Sequence, residues 1–210
     1  MQAICESLEF EESGHRYMLG DEVLPSVTQI IGHYSAREFE ELKRRGILRP
    51  EHLEIGTLRH ETTELYDRGQ LDEDGLDPIL VTALDAWKLF RADTGFSPEL
   101  IEQRICSERV RYAGTIDRVG TLQGGRSILI DIKGEASVKS HGLQLGAYAY
   151  ALEEQTGQRV DLAACVHLKK NGTYKVISID RAGIDRLECD FVSLAMAYHV
   201  LDSDRYGLGG

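Results

Sequence analysis

The chain of 210 residues is 42% hydrophobic and 28% charged, which is typical of a globular protein that folds as one domain. No apolar run approaches the roughly 18 residues of a membrane-spanning helix, and residues 1–11 are acidic, unlike a signal peptide. We therefore expect a cytoplasmic protein without a membrane partner. The net charge of -11 argues against a protein that coats nucleic acid non-specifically, because such proteins carry clustered Lys and Arg. It does not exclude an enzyme whose bound metal ions supply the positive charge.

The four cysteines stand at positions 4, 106, 165 and 189 and form no C-x-x-C pair. No two of them are close enough in sequence for a local zinc or iron–sulfur site. Unpaired cysteines behave as small hydrophobic residues, so we expect free and mostly buried thiols.

The first half of the chain is predicted to be mainly helical after an opening pair of short strands. The strands fall within residues 7–23, around the turn residues Ser13 and Gly14. Ser26 is a suitable N-cap for the first helix, because its side chain can accept a hydrogen bond from the first turn. Further helices are predicted at residues 36–46, about 56–68 and about 77–94.

From Pro98 onward the pattern predicts a sheet with two more helices. Three strands are expected first, then a helix, two strands and a final helix, at residues 100–106, 112–122, 127–132, 140–155, 162–168, 173–179 and 181–201. Turns at Gly124-Gly125 and Asn171-Gly172 join neighbouring strands. The order β-β-β-α-β-β-α predicts an α/β protein of the α+β kind, with a mixed central sheet flanked by helices, and excludes a doubly wound parallel fold.

Two acidic residues and a lysine stand on neighbouring predicted strands. Asp131 and Lys133 are two residues apart, so their side chains share one face of a strand. A hairpin across Gly124-Gly125 would bring Asp117 close to Asp131. The surrounding residues are apolar, and unpaired carboxylates are strongly disfavoured in such an environment. One interpretation is a buried ion pair between aspartate and lysine. The other is a site for Mg²⁺ or Mn²⁺, which favour oxygen ligands.

Two helical faces carry further polar side chains. Gln144 and Tyr148 are four residues apart and share a helical face, with His141 one turn earlier. This face could hold Lys133 or a phosphate. Upstream, His60 is either a structural residue or a nitrogen ligand that adds to the two carboxylates.

Taken together, these motifs resemble a known family. Gly114-Thr-Ile-Asp117, Leu129-Ile-Asp131-Ile-Lys133 and Gln144-Leu-Gly-Ala-Tyr148, preceded by Gly56-x-x-x-His60, resemble the RecB-type branch of the PD-(D/E)XK nucleases. The earlier stretch Leu24-Pro-Ser-Val-Thr28 is similar to exonucleases of the mitochondrial genome maintenance type and their phage and bacterial relatives. The resemblance implies one restriction-endonuclease-like nuclease domain over residues 1–210. In it, a mainly helical elaboration at 1–97 would form a wall or arch over the site, and 98–210 would be the catalytic core.

The resemblance also implies roles for particular residues. His60, Asp117, Asp131 and the backbone carbonyl of Ile132 would bind one or two Mg²⁺ or Mn²⁺ ions, with Glu102 as a further acidic position. Lys133 would orient or help deprotonate the attacking water and stabilise charge on the phosphate. Gln144 and Tyr148 would position Lys133 and the scissile strand. Candidate contacts to DNA, outside this catalytic set, are Lys43, Arg44, Arg45, His141, Lys169 and Lys170.

Two departures from the family pattern affect these expectations. Gly134 stands where many relatives have Thr or Ser after the lysine, which removes a hydroxyl contact. Members with an iron–sulfur cluster use an N-terminal cysteine and a C-terminal cysteine group. Cys165 and Cys189 are too sparse for that arrangement, so no iron–sulfur cluster is expected.

The function implied is a metal-dependent DNA exonuclease of bacterial or phage origin, acting on single strands or ends in recombination, repair or phage DNA processing. A restriction-type or structure-selective endonuclease is the nearest alternative, because the same residues serve both reactions. A non-catalytic binding or inhibitor protein on a nuclease fold is a third hypothesis. A metal-dependent enzyme for small molecules is disfavoured, because the sequence has no Gly-rich nucleotide loop. A protein partner could deliver the DNA, but no motif identifies one.

Overall fold

The computed structural model describes residues 7–44, 50–134 and 140–202. It begins with a three-stranded antiparallel meander of β1 (Leu8–Glu11), β2 (Arg16–Leu19) and β3 (Glu22–Leu24). The predicted pair of strands is therefore wrong in number. The third strand has only three residues, too few to show an alternating pattern, and it follows a turn at Gly20, whose φ of +61° favours glycine.

Three helices follow the meander: α1 (Val27–Arg44), α2 (Pro50–Asp67) and α3 (Pro78–Thr94). The Ser26 hydroxyl accepts a hydrogen bond from the Gln29 backbone N–H, which confirms the predicted N-cap. The two helices expected over residues 26–46 form one helix that kinks at Ser35, whose hydroxyl donates to the Ile31 carbonyl at 2.7 Å. Gly46, the expected end of the second, lies outside the described residues. Helix α2 begins about a turn and a half before its predicted start.

The second half contains a five-stranded sheet of β4 (Ser97–Ser107), β5 (Tyr112–Thr121), β6 (Ser127–Lys133), β7 (Leu162–Leu168) and β8 (Tyr174–Asp180), in that spatial order. All neighbouring pairs are antiparallel except β6 and β7. A parallel pair requires a crossover, and α4 (Ser140–Thr156) provides it. The chain continues from β8 into α5 (Arg181–Asp202). The predicted mixed sheet of an α+β protein is confirmed.

Both faces of the sheet are covered. Helices α4 and α5 pack on one face, where Leu129 and Phe191 belong to the larger core. Helix α3 packs on the other face, where Trp87 and Ile130 are fully buried. Polar side chains in the middle of the sheet are therefore removed from water, which is costly unless they are paired or bind a ligand.

Two further observations concern sequence expectations. None of the helices in the described ranges is long and apolar enough to cross a membrane. Cys165 is a buried free thiol and Cys189 an exposed one. The expectation that every cysteine is free is wrong for Cys106, which takes part in a disulfide bond. Spacing along the chain could not reveal this pairing, because it depends on tertiary proximity.

Candidate active site

The site lies where strands β5 and β6 stop pairing. Their last backbone pair is Arg118 with Ile130, and the register places Asp117 opposite Asp131 just beyond it. Here the Asp117 Oδ2 atom accepts a hydrogen bond of 2.6 Å from the Ile132 N–H, in place of a main-chain carbonyl. Asp117 and Asp131 are 7% and 1% exposed, so two carboxylates are buried side by side.

Strand β4 adds a third carboxylate on the other side of Asp117. The register of β4 and β5 places Glu102 opposite Asp117, between the pairs formed by Ile101 and Gln103. Glu102 has a φ of +46°, a left-handed conformation that is costly for a non-glycine residue. Such strain persists only where the surroundings fix it, and the Glu102 carboxylate accepts a 2.8 Å hydrogen bond from Arg118.

Helix α2 brings His60 to these carboxylates. Its Nδ1 atom lies 3.5 Å from Asp117 Oδ2 and 3.8 Å from Glu102 Oε1. One ligand atom from each of His60, Glu102 and Asp117 lies within 4.8 Å of the others. Nitrogen and carboxylate oxygens converging in this way form a donor set that fits a divalent cation such as Mn²⁺ or Mg²⁺.

Burial and neighbouring charges shift the pKa values of the ionisable groups in the site. Burial raises the pKa of Asp117, and the Glu102 charge adds to this effect, although His60 opposes it. Burial would lower the pKa of His60, but the Asp117 and Glu102 carboxylates raise it to about 9. The pKa of Asp131 is also raised, mainly by burial, while Lys133 opposes the change. A bound divalent ion would relieve the repulsion among these carboxylates.

Asp131 has different partners from Asp117. Its Oδ1 atom forms an ion pair of 2.8 Å with Lys133 Nζ, and its Oδ2 atom accepts a weak 3.7 Å hydrogen bond from the Cys165 thiol. Burial raises the pKa of Cys165 to about 12, with the Asp131 charge adding to the shift, so this thiol remains a donor. The structure therefore places Asp131 with Lys133, next to the group of His60, Glu102 and Asp117 and not within it.

A chain of hydrogen bonds fixes the Lys133 side chain from the other direction. Its Nζ donates to Gln144 Oε1 at 3.2 Å, and the Gln144 amide donates to the Tyr148 hydroxyl at 2.9 Å. Burial opposes the charge of Lys133, but Asp131 and Asp117 outweigh it and raise its pKa. Gln144 thus contacts Lys133 directly, whereas Tyr148 contacts Gln144.

Gly114 is needed for close packing, and Gly134 lies next to the movable end of an arginine side chain. A Cβ atom at Gly114 would lie 2.7 Å from the Tyr148 ring, so glycine allows this ring to reach the site. A Cβ atom at Gly134 would lie 2.9 Å from the Arg59 guanidinium. Gly134, which departs from the family pattern, therefore leaves room for Arg59, the residue before His60 on helix α2. The sequence reasoning did not single out Arg59.

Behind the site lies a buried network that sequence reasoning missed. The fully buried Arg118 donates to Asp67 at 2.6 Å, to the Asp117 carbonyl at 2.6 Å and to Thr63 at 3.2 Å, besides its bond to Glu102. Asp67 also accepts from the Trp87 indole and forms a 2.7 Å ion pair with Arg91. The network joins α2, α3, β4 and β5, which carry or support the metal-ligand candidates. Its sequence signal is Arg118 itself, a charged residue on an otherwise apolar strand face.

A cavity of about 1020 Å³ opens in front of these side chains. His60, Glu102, Asp117 and Lys133 line its inner end, together with Gln144 and Tyr148. The remaining lining comes from the N-terminal meander, the start of α1, the outer part of α2 and strand β4. The candidate residues are thus accessible to a ligand in spite of their burial.

The predicted DNA contacts lie in varied places. Arg44 is exposed on α1 and pairs with Glu41 at 2.7 Å, whereas the Lys43 side chain and Arg45 lie outside the described residues. Lys169 and Lys170 follow β7 at the sheet edge where β6 ends in Lys133. None of these described residues lines the cavity. Burial lowers the pKa of His141 to about 4, with Lys133 adding to the shift, so this ring is neutral near pH 7.

Comparisons with known proteins agree with this geometry. Residues 81–202 match the model of the PD-(D/E)XK nuclease superfamily. The match covers more than half of the chain and includes Glu102, Asp117, Asp131 and Lys133. A mixed sheet flanked by helices, with acidic residues at the point where two strands diverge, defines a restriction-endonuclease-like protein. The chain belongs to the PD-(D/E)XK nuclease superfamily.

Individual relatives add less. A protein from Eubacterium rectale, provisionally named an exonuclease, is 12% identical with a TM-score of 0.49, over 70% of this chain and 66% of the other, just under two thirds of its length. The protein SSO0001 is 17% identical with a TM-score of 0.37, over 84% of this chain and 79% of the other. Likeness at this level carries no argument about function. No curated protein sequence matches the chain.

Proposed function

We propose that the protein is a metal-dependent DNA exonuclease of the RecB-like branch, which hydrolyses phosphodiester bonds in single strands or at DNA ends. The observation that carries this proposal is the convergence of His60, Glu102 and Asp117 within 4.8 Å beside the ammonium of Lys133. Membership of a nuclease superfamily supports phosphodiester hydrolysis as the reaction. The resemblance of residues 24–148 to exonucleases supports digestion from an end, in recombination, repair or phage DNA processing.

The residues of the site divide into three tasks. His60, Glu102 and Asp117 would hold the ion, and Asp131 with the Ile132 carbonyl lies next to them for a second ion or a bound water. Lys133 would stabilise charge on the phosphate. Burial opposes the charge of Lys133, but Asp131 and Asp117 raise the pKa of its amine and so favour the ammonium form. Gln144 and Tyr148 would keep this ammonium oriented.

A bound Mg²⁺ or Mn²⁺ ion supplies Lewis acidity and positive charge to the reaction at a phosphodiester. The residues present fit such an ion, because they offer one imidazole nitrogen and two carboxylate groups whose ligand atoms lie within 4.8 Å of one another. Rate enhancement in this chemistry comes mostly from positioning and charge stabilisation. Preorganisation of Lys133 between Asp131 and Gln144 is therefore the main contribution of the protein side chains outside the metal ligands.

The test is cleavage of end-labelled single-stranded DNA, end-labelled duplex and a covalently closed circle in Mn²⁺, Mg²⁺ or EDTA. We expect metal-dependent loss of the linear strands, with circles spared and EDTA abolishing the reaction. The position of the label then gives the polarity of digestion. The Asp117→Asn protein is the control for a contaminating nuclease.

Two other outcomes would contradict the proposed exonuclease function. Cut circles would contradict an exonuclease and establish the endonuclease alternative, since a circle has no end. Intact DNA with every metal would contradict a catalytic role and support a binding or inhibitor protein on a nuclease fold.

A further inference from the structure

The cavity extends well beyond the candidate metal site. Its volume of about 1020 Å³ lies at the upper end of the range for pockets that enclose whole small molecules. The candidate metal ligands and Lys133 make up only part of its lining. The outer part has its own side chains, and neither the family match nor the proposed chemistry assigns them a role.

One outer wall is an aromatic cluster on the N-terminal meander. Phe10 and Tyr17 are paired across β1 and β2, with ring centroids 4.7 Å apart. His15 lies edge-on to Phe10, with centroids 5.0 Å apart, and its ring is exposed. All three residues line the cavity. His15 is exposed and Phe10 is half-buried, whereas Tyr17 is buried, so the first two rings offer aromatic surface on which unpaired bases can stack.

The wall also carries a positive charge. The Arg104 guanidinium, from β4, lies 5.1 Å from the centre of the Phe10 ring, and Arg104 is exposed. In the part of the chain that the structure describes, no carboxylate forms an ion pair with this group. The Phe10 ring therefore holds the Arg104 guanidinium in place. The N–H donors of this guanidinium are available to an incoming phosphate or to the edge of a base.

Residues of helix α2 and of the position just after it also line the cavity. His60, Glu64 and Arg68 succeed one another at intervals of four residues. At 1.5 Å per residue, this row spans about 12 Å, beginning at the candidate metal ligand His60. Arg68 is held there by Glu64 at 2.9 Å and by the Ile101 carbonyl at 3.0 Å.

The aromatic wall is tied firmly to the catalytic strands. The Tyr17 hydroxyl is 2.9 Å from the Thr115 hydroxyl, two positions before Asp117 on β5. Ser26 bridges to Ala113 on the same strand, and Glu22 forms an ion pair with Arg111. The distance from the wall to the site is therefore set by the fold, as a binding track requires.

We infer that the outer cavity is a track for single-stranded DNA, in which Phe10 and His15 stack the bases next to the scissile phosphate and Arg104 contacts the backbone. This inference rests on the proposed function and adds the residues that select single-stranded over double-stranded DNA. A single strand fits these observations better than a duplex, because base pairing hides the base faces that an aromatic wall contacts. Glu64 does not oppose the backbone, because Arg68 already neutralises it.

The experiment measures binding separately from cleavage. Fluorescence anisotropy with a labelled oligo(dT) of about 12 nucleotides, within the range of known single-strand sites, is recorded in Ca²⁺ for the wild type, Phe10→Ala and Arg104→Ala. A gel verifies that the oligonucleotide stays intact. The matched control is Arg126→Ala, which removes the same charge from an exposed turn that does not line the cavity. A blunt duplex of equal length is titrated in parallel, and salt is varied.

We expect Phe10→Ala and Arg104→Ala each to raise the Kd for oligo(dT) about fivefold or more, with Arg126→Ala unchanged. The slope of log K against log salt should fall by about 0.7 for Arg104→Ala and stay constant for Phe10→Ala. A wild-type Kd in both cavity variants, or an equal loss for duplex and single strand, would overturn the track. Circular dichroism checks that each variant is folded.

Cleavage by the same wild-type preparation in Mn²⁺ separates this inference from the proposed function. If the wild type binds oligo(dT) through Phe10 and Arg104 but cleaves no DNA, the nuclease proposal fails and the track stands. If it cleaves DNA and both variants bind normally, the track fails and the nuclease proposal stands.

Discussion

Asp117 on strand β5 accepts a hydrogen bond from the backbone N–H of Ile132 on strand β6 at 2.6 Å. Through this bond, a carboxylate of the candidate metal site replaces the main-chain acceptor at the point where the two strands diverge. The position of Asp117 relative to Asp131 and Lys133 is therefore fixed by a bond to the backbone. Backbone atoms vary less in position than the ends of long side chains. The same bond makes Asp117 both a structural and a catalytic candidate, and the two roles can be separated.

Asp117→Asn should abolish metal-dependent cleavage and preserve the fold. An asparagine keeps an oxygen that can accept from Ile132, but it lacks the charge that holds a divalent ion. Asp117→Ala should also lose cleavage, and should in addition be destabilised by about 1–3 kcal/mol, because a buried N–H is left without an acceptor. Cleavage of labelled DNA in Mn²⁺ and urea unfolding measure the two effects. Full activity of either variant would contradict the site assignment.

Lys133→Ala and Asp131→Ala should abolish cleavage as well, and Gln144→Ala should slow it. Loss of Gln144 removes the 3.2 Å contact that orients the Lys133 ammonium, while the ion pair with Asp131 remains. We expect about a tenfold or greater drop in kcat, since misplacement of a charge near a reacting phosphate is costly.

Tyr148→Phe should slow cleavage less than Gln144→Ala does, for the same reason. Single-turnover rates measure both, and additive effects in the double variant would contradict a chain that acts through Lys133.

Much of the catalytic half could be predicted from the sequence, because its elements are long and carry strong local signals. The hairpin residues Gly124-Gly125 and Asn171-Gly172 mark turns that the structure contains, and the apolar run before Asp131 indicates a buried strand. The spacing of Asp131 and Lys133 fixes their common face by geometry alone. Proximity of Gln144 to Lys133 was open to prediction for a similar reason, since helix α4 must cross back over the sheet.

The rest depends on tertiary contacts that have no local pattern. The left-handed backbone of Glu102 is maintained by a bond to Arg118 and by packing around it, so nothing in the neighbouring residues indicates it. The placement of Asp131 outside the group of His60, Glu102 and Asp117 depends on how strands β5 and β6 diverge beyond the pair of Arg118 and Ile130. The aromatic wall combines Phe10 and Arg104, which are distant in sequence and meet only when the meander packs on β4.

Addition of Mn²⁺ should raise the melting temperature of the wild type, because an ion that binds only the folded state stabilises it by mass action. At 100 times the Kd the gain is about 2.7 kcal/mol. His60→Ala should reduce this shift by removing the nitrogen ligand, whereas His33→Ala, an exposed histidine on α1, should leave it unchanged. Thermal melts with and without the ion measure the effect. An identical shift in His60→Ala would return His60 to a structural role.

Arg118 offers the sharpest test of the network behind the site. Arg118→Ala should destabilise the protein by about 3–5 kcal/mol, because among the described residues it leaves the fully buried Asp67 carboxylate with Arg91 as its one remaining charged partner. Arg118→Lys keeps the charge, but a single ammonium cannot donate to Asp67, Glu102, Thr63 and the Asp117 carbonyl together, so an intermediate loss is expected. Urea unfolding measures both, with Arg126→Ala as the exposed control that should change stability by less than about 0.5 kcal/mol.

If Arg118→Lys folds, its Mn²⁺-induced melting shift should also be smaller than that of the wild type, because Glu102 loses the bond that holds it towards His60. A normal shift in a destabilised Arg118→Lys protein would limit this arginine to a structural role.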